Sequence, residues 1–101
     1  MTDEPDSAVL LCCLLGAHPG QEAALSDHQN CVLAFIPAHD GALVQRARSD
    51  GTDGQPNEVQ IYWFTNQAAF EGYRDDPRST ELSVQRDRVI ARTELFPVTI
   101  I

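Results

Sequence analysis

The sequence contains no lysine, and all seven of its basic residues are arginines. Lysine provides the amine for Schiff bases and for pyridoxal phosphate attachment, and it contacts the phosphates in a P-loop, so these three chemistries are excluded. The seven arginines stand against 15 acidic residues, which gives a formal net charge of −8. Because so acidic a chain repels phosphate groups, we expect it to bind neither nucleic acid nor anionic membranes.

Long apolar runs are also missing. No run approaches the roughly 18 residues that a membrane-spanning helix needs. The chain begins with Met1-Thr2-Asp3-Glu4-Pro5-Asp6 and so lacks the positive charge of a secretory signal. We therefore expect a cytoplasmic protein. Arginine without lysine is typical of GC-rich bacterial genomes, which indicates a bacterial source.

Cysteine and histidine are scarce, with three of each. The cysteines are Cys12, Cys13 and Cys31. An odd count without a paired-cysteine motif gives neither a disulfide framework nor a zinc signature. Adjacent residues of a strand point to opposite faces, so Cys12 and Cys13 are not expected to pair with each other. The histidines match no local metal motif. We expect reduced thiols and no metal site.

The apolar pattern predicts a single domain over residues 8–101, preceded by a disordered acidic tail over 1–7. The predicted strands are 8–15, 42–48, 58–65 and 92–101, and the predicted helices are 21–36, 67–74 and 76–89. This order is typical of an α+β, ferredoxin-like βαββαβ fold with a four-stranded antiparallel sheet. The first and third strands are apolar on both faces, which predicts central positions. The second strand is mixed and the last contains Pro97, so both are expected at the edges.

Helices can cover only one face of this sheet. The other face would expose apolar side chains from both central strands, and a patch of that size marks an interaction surface. A second copy is the simplest cover, since the same patch then pairs with itself. We predict a homodimer whose sheets meet face to face.

One part of the chain resembles the dimeric α/β-barrel superfamily, which includes the antibiotic-biosynthesis-type monooxygenases and many uncharacterised relatives. The resemblance covers residues 8–101 in topology and is specific in sequence over 58–78. The residues that carry it are Glu58-Val59-Gln60-Ile61-Tyr62-Trp63-Phe64-Thr65, Ala68-Ala69-Phe70-Glu71-Gly72-Tyr73-Arg74 and Asp76-Pro77-Arg78.

The resemblance implies two subunits paired into an α/β barrel, each holding a small apolar cavity. It also implies chemistry without a metal or flavin, so no cofactor is expected. The haem-degrading members use an asparagine on the first strand and a histidine on the second long helix, and this sequence has neither. The histidine-containing helix motif of the monooxygenases is absent as well, where the chain reads Asp76-Pro77-Arg78-Ser79.

Three residues are candidates for catalysis. His28 lies on the apolar stripe of the first helix, where it is either a packed histidine or a base lining a pocket. His18 follows the first strand, in a solvated loop or at a cavity mouth. Arg46 would stabilise an anion through its planar guanidinium group, or would form a salt bridge.

The candidate ligand-binding residues are Tyr62, Trp63, Phe64, Tyr73 and Arg48. Successive residues of a strand alternate between faces, so the three consecutive aromatics must divide between the two sides of the sheet. Those on one side would line a cavity, and those on the other would pack in the core or the dimer interface. The pattern does not decide which side is which.

These observations favour a cofactor-independent, monooxygenase-like enzyme that acts on a small aromatic or carbonyl compound. Two alternatives remain open: a non-catalytic small-molecule-binding or regulatory module, and a structural or partner-binding dimer. No nucleophile elbow and no glycine-rich nucleotide loop occurs in the chain.

Overall fold

The computed structural model describes residues 7–101, which contain four strands and four helices. The strands are β1 (Val9–Ala17), β2 (Gly41–Arg48), β3 (Glu58–Phe64) and β4 (Ile90–Pro97). The helices are α1 (Glu22–Leu33), α2 (Gln67–Arg74), α3 (Pro77–Thr80) and α4 (Ser83–Val89). Short 3-10 turns occupy Ile36–His39 and Thr52–Gly54. The predicted tail, Ser7 excepted, lies outside the described residues.

The strands form one antiparallel sheet in the order β2-β3-β1-β4. This is the predicted α+β, ferredoxin-like fold, and the strands that are apolar on both faces occupy its centre. The mixed strand β2 and the proline-containing strand β4 lie at the edges, where a missing backbone donor is tolerated. No helix within residues 7–101 has the length and apolarity to cross a membrane.

Helix boundaries differ from the prediction at two places. The first helix ends at Leu33, and a separate 3-10 turn over Ile36–His39 follows, with Pro37 in its first turn. Asp40 closes this turn in a left-handed conformation (φ 55°). The predicted helix over 76–89 is divided into α3 and α4, with Leu82 outside helical geometry (φ −96°, ψ 10°). Few apolar side chains hold this segment to the sheet, so packing does not enforce one continuous helix. The last strand also lies earlier than predicted, at 90–97.

The core lies between the helices and one face of the sheet. Alternate residues of the central strands point into it, as the two-residue period of a strand requires. Phe64 is fully buried and packs against Phe70 and Tyr73, with ring centroids 5.6 and 5.5 Å apart. The other buried apolar residues are Leu11, Cys13, Leu15, Leu25, Leu33, Ile36, Tyr62, Val89 and Ile90.

The opposite face of the central strands β1 and β3 is apolar and carries none of these core residues, whereas the edge strands add Gln45 and Glu94 to it. Cross-strand pairs join Leu10 to Trp63, Cys12 to Ile61, and Leu14 to Val59. Two large aromatic side chains of this face remain exposed, Trp63 at 38% and Phe96 at 40%. We call this surface, made by residues 10, 12, 14, 59, 61, 63 and 96, the open face.

Candidate functional site

A cavity of about 170 Å³ lies between the sheet and the helices. Its walls are largely apolar, with Leu15, Val32, Phe70 and Ile90 among them. An engineered apolar cavity of about 150 Å³ is large enough to hold benzene. A small aromatic ring therefore fits this space.

Polar side chains also line the cavity, among them Cys13, Gln29, Tyr62 and Tyr73. Cys13 and Tyr62 come from the core-facing positions of β1 and β3, which are adjacent strands. Tyr73 comes from α2, and its hydroxyl donates to the backbone carbonyl of Val32 at 3.3 Å. Gln29 comes from α1 and is buried. The sheet and two helices together thus place a few polar groups in an apolar space, as ligand pockets commonly do.

A chain of hydrogen bonds runs along the core face of β3 to Tyr62. The Tyr62 hydroxyl donates to Oε1 of Gln60. Nε2 of Gln60 donates to Oε1 of Glu58 at 2.9 Å and to Oε1 of Gln29 at 3.2 Å. Glu58 and Gln60 are only 2% and 0% exposed. Because these groups are shielded from water, their partners within the protein decide how they are oriented.

Arg46 closes this chain at the sheet edge. Its Nε and Nη2 donate to the two carboxylate oxygens of Glu58, at 2.7 and 3.0 Å. Its remaining donors reach Asn30 and Ser26. Burial of Glu58 disfavours its charged form, but the hydrogen bonds from Arg46 and Gln60 outweigh that penalty and lower the pKa of Glu58. The buried carboxyl group is therefore ionised at neutral pH.

The polar groups inside the cavity are neutral. Burial raises the pKa of both the Tyr62 and Tyr73 hydroxyls far above their usual range. Burial also raises the pKa of the Cys13 thiol. A protonated thiol is a poor nucleophile, so Cys13 is not an activated cysteine. These groups can form hydrogen bonds with a ligand, but they do not act as bases near neutral pH.

The only charged residues among those that line this cavity in the described part of the chain are Arg74 and Arg86. Both side chains are about half exposed, and each pairs with the aspartate that follows it in the chain. Arg86 also donates to the hydroxyl of Thr93 at 3.1 Å. The cavity mouth therefore carries guanidinium groups that could meet an anionic group.

The structure places the predicted ligand-binding residues in different regions. Tyr62 and Tyr73 line the cavity. Phe64 is packed in the core behind Tyr73, and Trp63 lies on the open face. Arg48 is exposed and donates to the Ser26 hydroxyl at 2.8 Å.

The three candidate catalytic residues do not come together. His28 is buried, and its Nδ1 lies 3.0 Å from Oε1 of Gln85, a contact that joins α1 to α4. His18 is exposed in the loop after β1. Arg46 is bound to Glu58, and none of the three is among the residues lining the cavity.

Sequence reasoning missed Cys13, Gln29 and Arg86 as cavity residues. The signal for Gln29 is its helical spacing, since it lies four residues from both Leu25 and Leu33, which are buried. The apolar stripe assigned from the sequence instead passed through His28, one residue away. No residue pattern marked Arg86, because its position at the cavity mouth depends on where α4 packs.

Another polar cluster lies outside the cavity. Nε2 of His39 is 2.7 Å from Oδ2 of Asp76, a carboxylate that also accepts from Nη2 of Arg78 at 2.7 Å. Asp76 caps α3 through the backbone N–H of Arg78 at 2.8 Å. In residues 7–101, no three histidine, cysteine or carboxylate side chains are grouped so that they could hold a metal ion.

No protein-family model and no curated protein sequence matches the chain. Solved structures do match it. PA3566 from Pseudomonas aeruginosa is 17% identical, with a TM-score of 0.73 over 98% of this chain and 99% of that one. The chain has the ferredoxin-like fold of these structures. The predicted resemblance is thereby confirmed for the fold.

Two further matches bear on assembly and activity. A ferredoxin-like protein of unknown function from Bacteroides fragilis, described as dimeric, is 9% identical, with a TM-score of 0.70 over 92% of this chain and 96% of that one. SnoaB from Streptomyces nogalater, a cofactor-independent oxygenase, is 18% identical, with a TM-score of 0.68 over 94% of this chain and 96% of that one. At such identities the likeness shows the fold alone.

Proposed function

We propose that the protein is a cofactor-independent, monooxygenase-like enzyme that binds a small aromatic or carbonyl compound between the sheet and the helices. The observation that carries this proposal is the largely apolar cavity of about 170 Å³ with buried hydroxyl and amide groups in its wall. Such a space removes water from an aromatic ring and leaves a few polar groups to orient it.

Because no histidine or acidic side chain of residues 7–101 lines the cavity, an electron-rich substrate would pass its proton to water at the cavity mouth. Its anion would then transfer electrons to molecular oxygen. One oxygen atom enters the substrate as a carbonyl, while the other leaves as water with the two hydrogens that the substrate gives up. Arg86 at the mouth would stabilise the anion by its charge. In this proposal Arg86 takes the role first given to Arg46, because Arg46 is bound to Glu58.

The proposal includes a homodimer formed by the open face. Trp63 and Phe96 expose apolar surface there. Burying this surface against a second copy would remove it from water, and a twofold axis would place the same apolar patch on both sides of the interface. The dimeric description of the similar Bacteroides fragilis protein supports the same assembly.

A non-catalytic binding module is the second candidate. One observation favours it: no histidine, aspartate or glutamate of residues 7–101 is among the residues lining the cavity. A general base normally lies within hydrogen-bond reach of the proton it removes. A binding module would take up the same ligands without converting them.

Oxygen consumption with 1-naphthol as the probe separates the two candidates, with incorporation of labelled oxygen followed by mass spectrometry. Thr93 is exposed at the cavity mouth, so Thr93→Trp should block entry without disturbing the core. Val84 is 65% exposed and does not line the cavity, so Val84→Trp is the matched control.

Turnover that Thr93→Trp abolishes and Val84→Trp retains supports the enzyme. Saturable binding without oxygen incorporation, again lost only in Thr93→Trp, supports the binding module instead. If 1-naphthol neither binds nor reacts, the cavity proposal is wrong.

A further inference from the structure

The hydrogen bonds from Glu58 to Tyr62 have a fixed direction. A carboxylate only accepts hydrogen bonds, and Arg46 keeps the Glu58 carboxylate paired through two of its nitrogens. The amide of Gln60 must therefore turn its NH2 group towards Glu58, because the reverse orientation would place two acceptor oxygens against each other. The 2.9 Å contact from Nε2 of Gln60 to Oε1 of Glu58 has this orientation.

The fixed amide determines the direction of the next bond. Nε2 of Gln60 donates to both Glu58 and Gln29, so both of its hydrogens have acceptors. Its carbonyl oxygen then faces Tyr62 and takes the single hydrogen of that hydroxyl. The Tyr62 oxygen has no second hydrogen to give a ligand, and towards the cavity it can only accept.

Two side chains thus present opposite groups to a ligand. A hydroxyl oxygen accepts two hydrogen bonds, so the Tyr62 oxygen can accept from a ligand while its own hydrogen is bound to Gln60. Oε1 of Gln29 is occupied by Gln60, whereas its Nε2 has no acceptor among residues 7–101. Both Tyr62 and Gln29 line the cavity, so its wall offers an acceptor beside a donor.

We propose that Glu58, through Gln60, makes the cavity selective for aromatic rings that donate a hydrogen bond to the Tyr62 oxygen. Rings with an N–H or O–H group would bind in preference to rings of the same shape without one. Glu58 and Gln60 are positioning residues in this account, since they act through Tyr62. The inference rests on the proposed function, because it requires that the cavity binds an aromatic ligand.

Indole and benzofuran provide a matched pair of probes, because they have nearly the same shape and only indole has an N–H donor. The measurement is the dissociation constant of each probe by NMR titration of the folded protein. We expect indole to bind about tenfold more tightly than benzofuran, as one additional hydrogen bond allows. The ratio of the two constants is the informative quantity, since a general loss of stability weakens both probes alike.

Two variants test the positioning role. Glu58→Gln supplies a donor beside Gln60, so the Gln60 amide can reverse and the Tyr62 hydrogen can turn towards the cavity. Gln60→Leu frees the same hydrogen by removing its acceptor. In both variants the preference for indole should fall to less than about threefold. Glu81 is exposed, and Glu81→Gln is the control with the same change of charge.

The outcomes separate this inference from the proposed function. Equal binding of the two probes to the unmodified protein overturns the inference and leaves the cavity proposal intact. The inference is also overturned if the folded variants still prefer indole. If only one of the two variants folds, that variant alone decides this test. If neither probe binds, the proposed function is wrong and the inference with it.

Discussion

Tyr62 and Trp63 are consecutive residues of β3 that serve opposite surfaces of the sheet. Tyr62 is 4% exposed and lines the cavity, whereas Trp63 is 38% exposed on the open face. The two-residue period of a strand makes this division unavoidable. Ligand binding and assembly can consequently be altered separately, by changing one residue or its neighbour.

Trp63→Asp should dissociate the proposed homodimer. It would place a charge in the proposed apolar interface, where buried aromatic residues contribute strongly to association. We expect the dissociation constant to rise at least about 30-fold, equivalent to about 2 kcal/mol. Sedimentation equilibrium measures this directly. Val84→Asp, on exposed α4 surface, should leave the assembly unchanged, and a wild-type protein that is already monomeric at micromolar concentration would contradict the prediction.

Arg46→Met should destabilise the fold. It leaves the Glu58 carboxylate, which is 2% exposed, without its charged partner. We expect the free energy of unfolding to fall by about 3 kcal/mol, the lower end of the range for breaking a buried pair, because Arg46 is itself partly exposed. Urea denaturation gives the value. The control is Arg48→Met, at the exposed position two residues along β2, which should change the free energy of unfolding by less than about 0.5 kcal/mol. If both substitutions lower the free energy of unfolding equally, the Arg46–Glu58 pair is not the cause.

Asp76 should make stability depend on pH in the acid range. Hydrogen bonds from Arg78 and His39 lower the pKa of Asp76 well below its ordinary value of 3.8. Its contribution to stability is therefore complete above about pH 5 and decreases as the pH falls below the ordinary value towards the lowered one. Asp76→Asn should be less stable than the unmodified protein at pH 7, and this difference in melting temperature should shrink between pH 5 and pH 2. A constant difference over that range would argue against the linkage.

The three cysteines should react with iodoacetamide in a fixed order. Cys31 is exposed, Cys12 is half-buried on the open face, and Cys13 is buried. Burial raises the pKa of Cys13 and so reduces its thiolate fraction. We expect Cys31 to be modified first and Cys13 last, as measured by peptide mass spectrometry at pH 8. Unfolding in urea should abolish the order, and early modification of Cys13 in the folded protein would show that the cavity is more open than described.

The ferredoxin-like fold could be predicted because its signals are local. The apolar runs of β1 and β3 indicate strands that are covered on both faces and so lie at the centre of the sheet. The mixed pattern of β2 and the proline in β4 indicate edge strands, and these signals together predict the strand order. The helix over 76–89 was predicted less well, since few of its side chains are apolar and its division follows from packing.

The sequence by itself determined the strands and helices, their order, and the presence of an apolar sheet face that the helices do not cover. These features follow from the hydrophobic pattern and from the order of the elements along the chain. Only the tertiary structure decided which face each aromatic of β3 takes, because both faces are apolar and a period of two fits either choice. It also decided that Gln29 rather than His28 lines the cavity, and that Arg46 pairs with Glu58. These contacts depend on how each helix rotates and packs against the sheet, which no spacing within one element specifies.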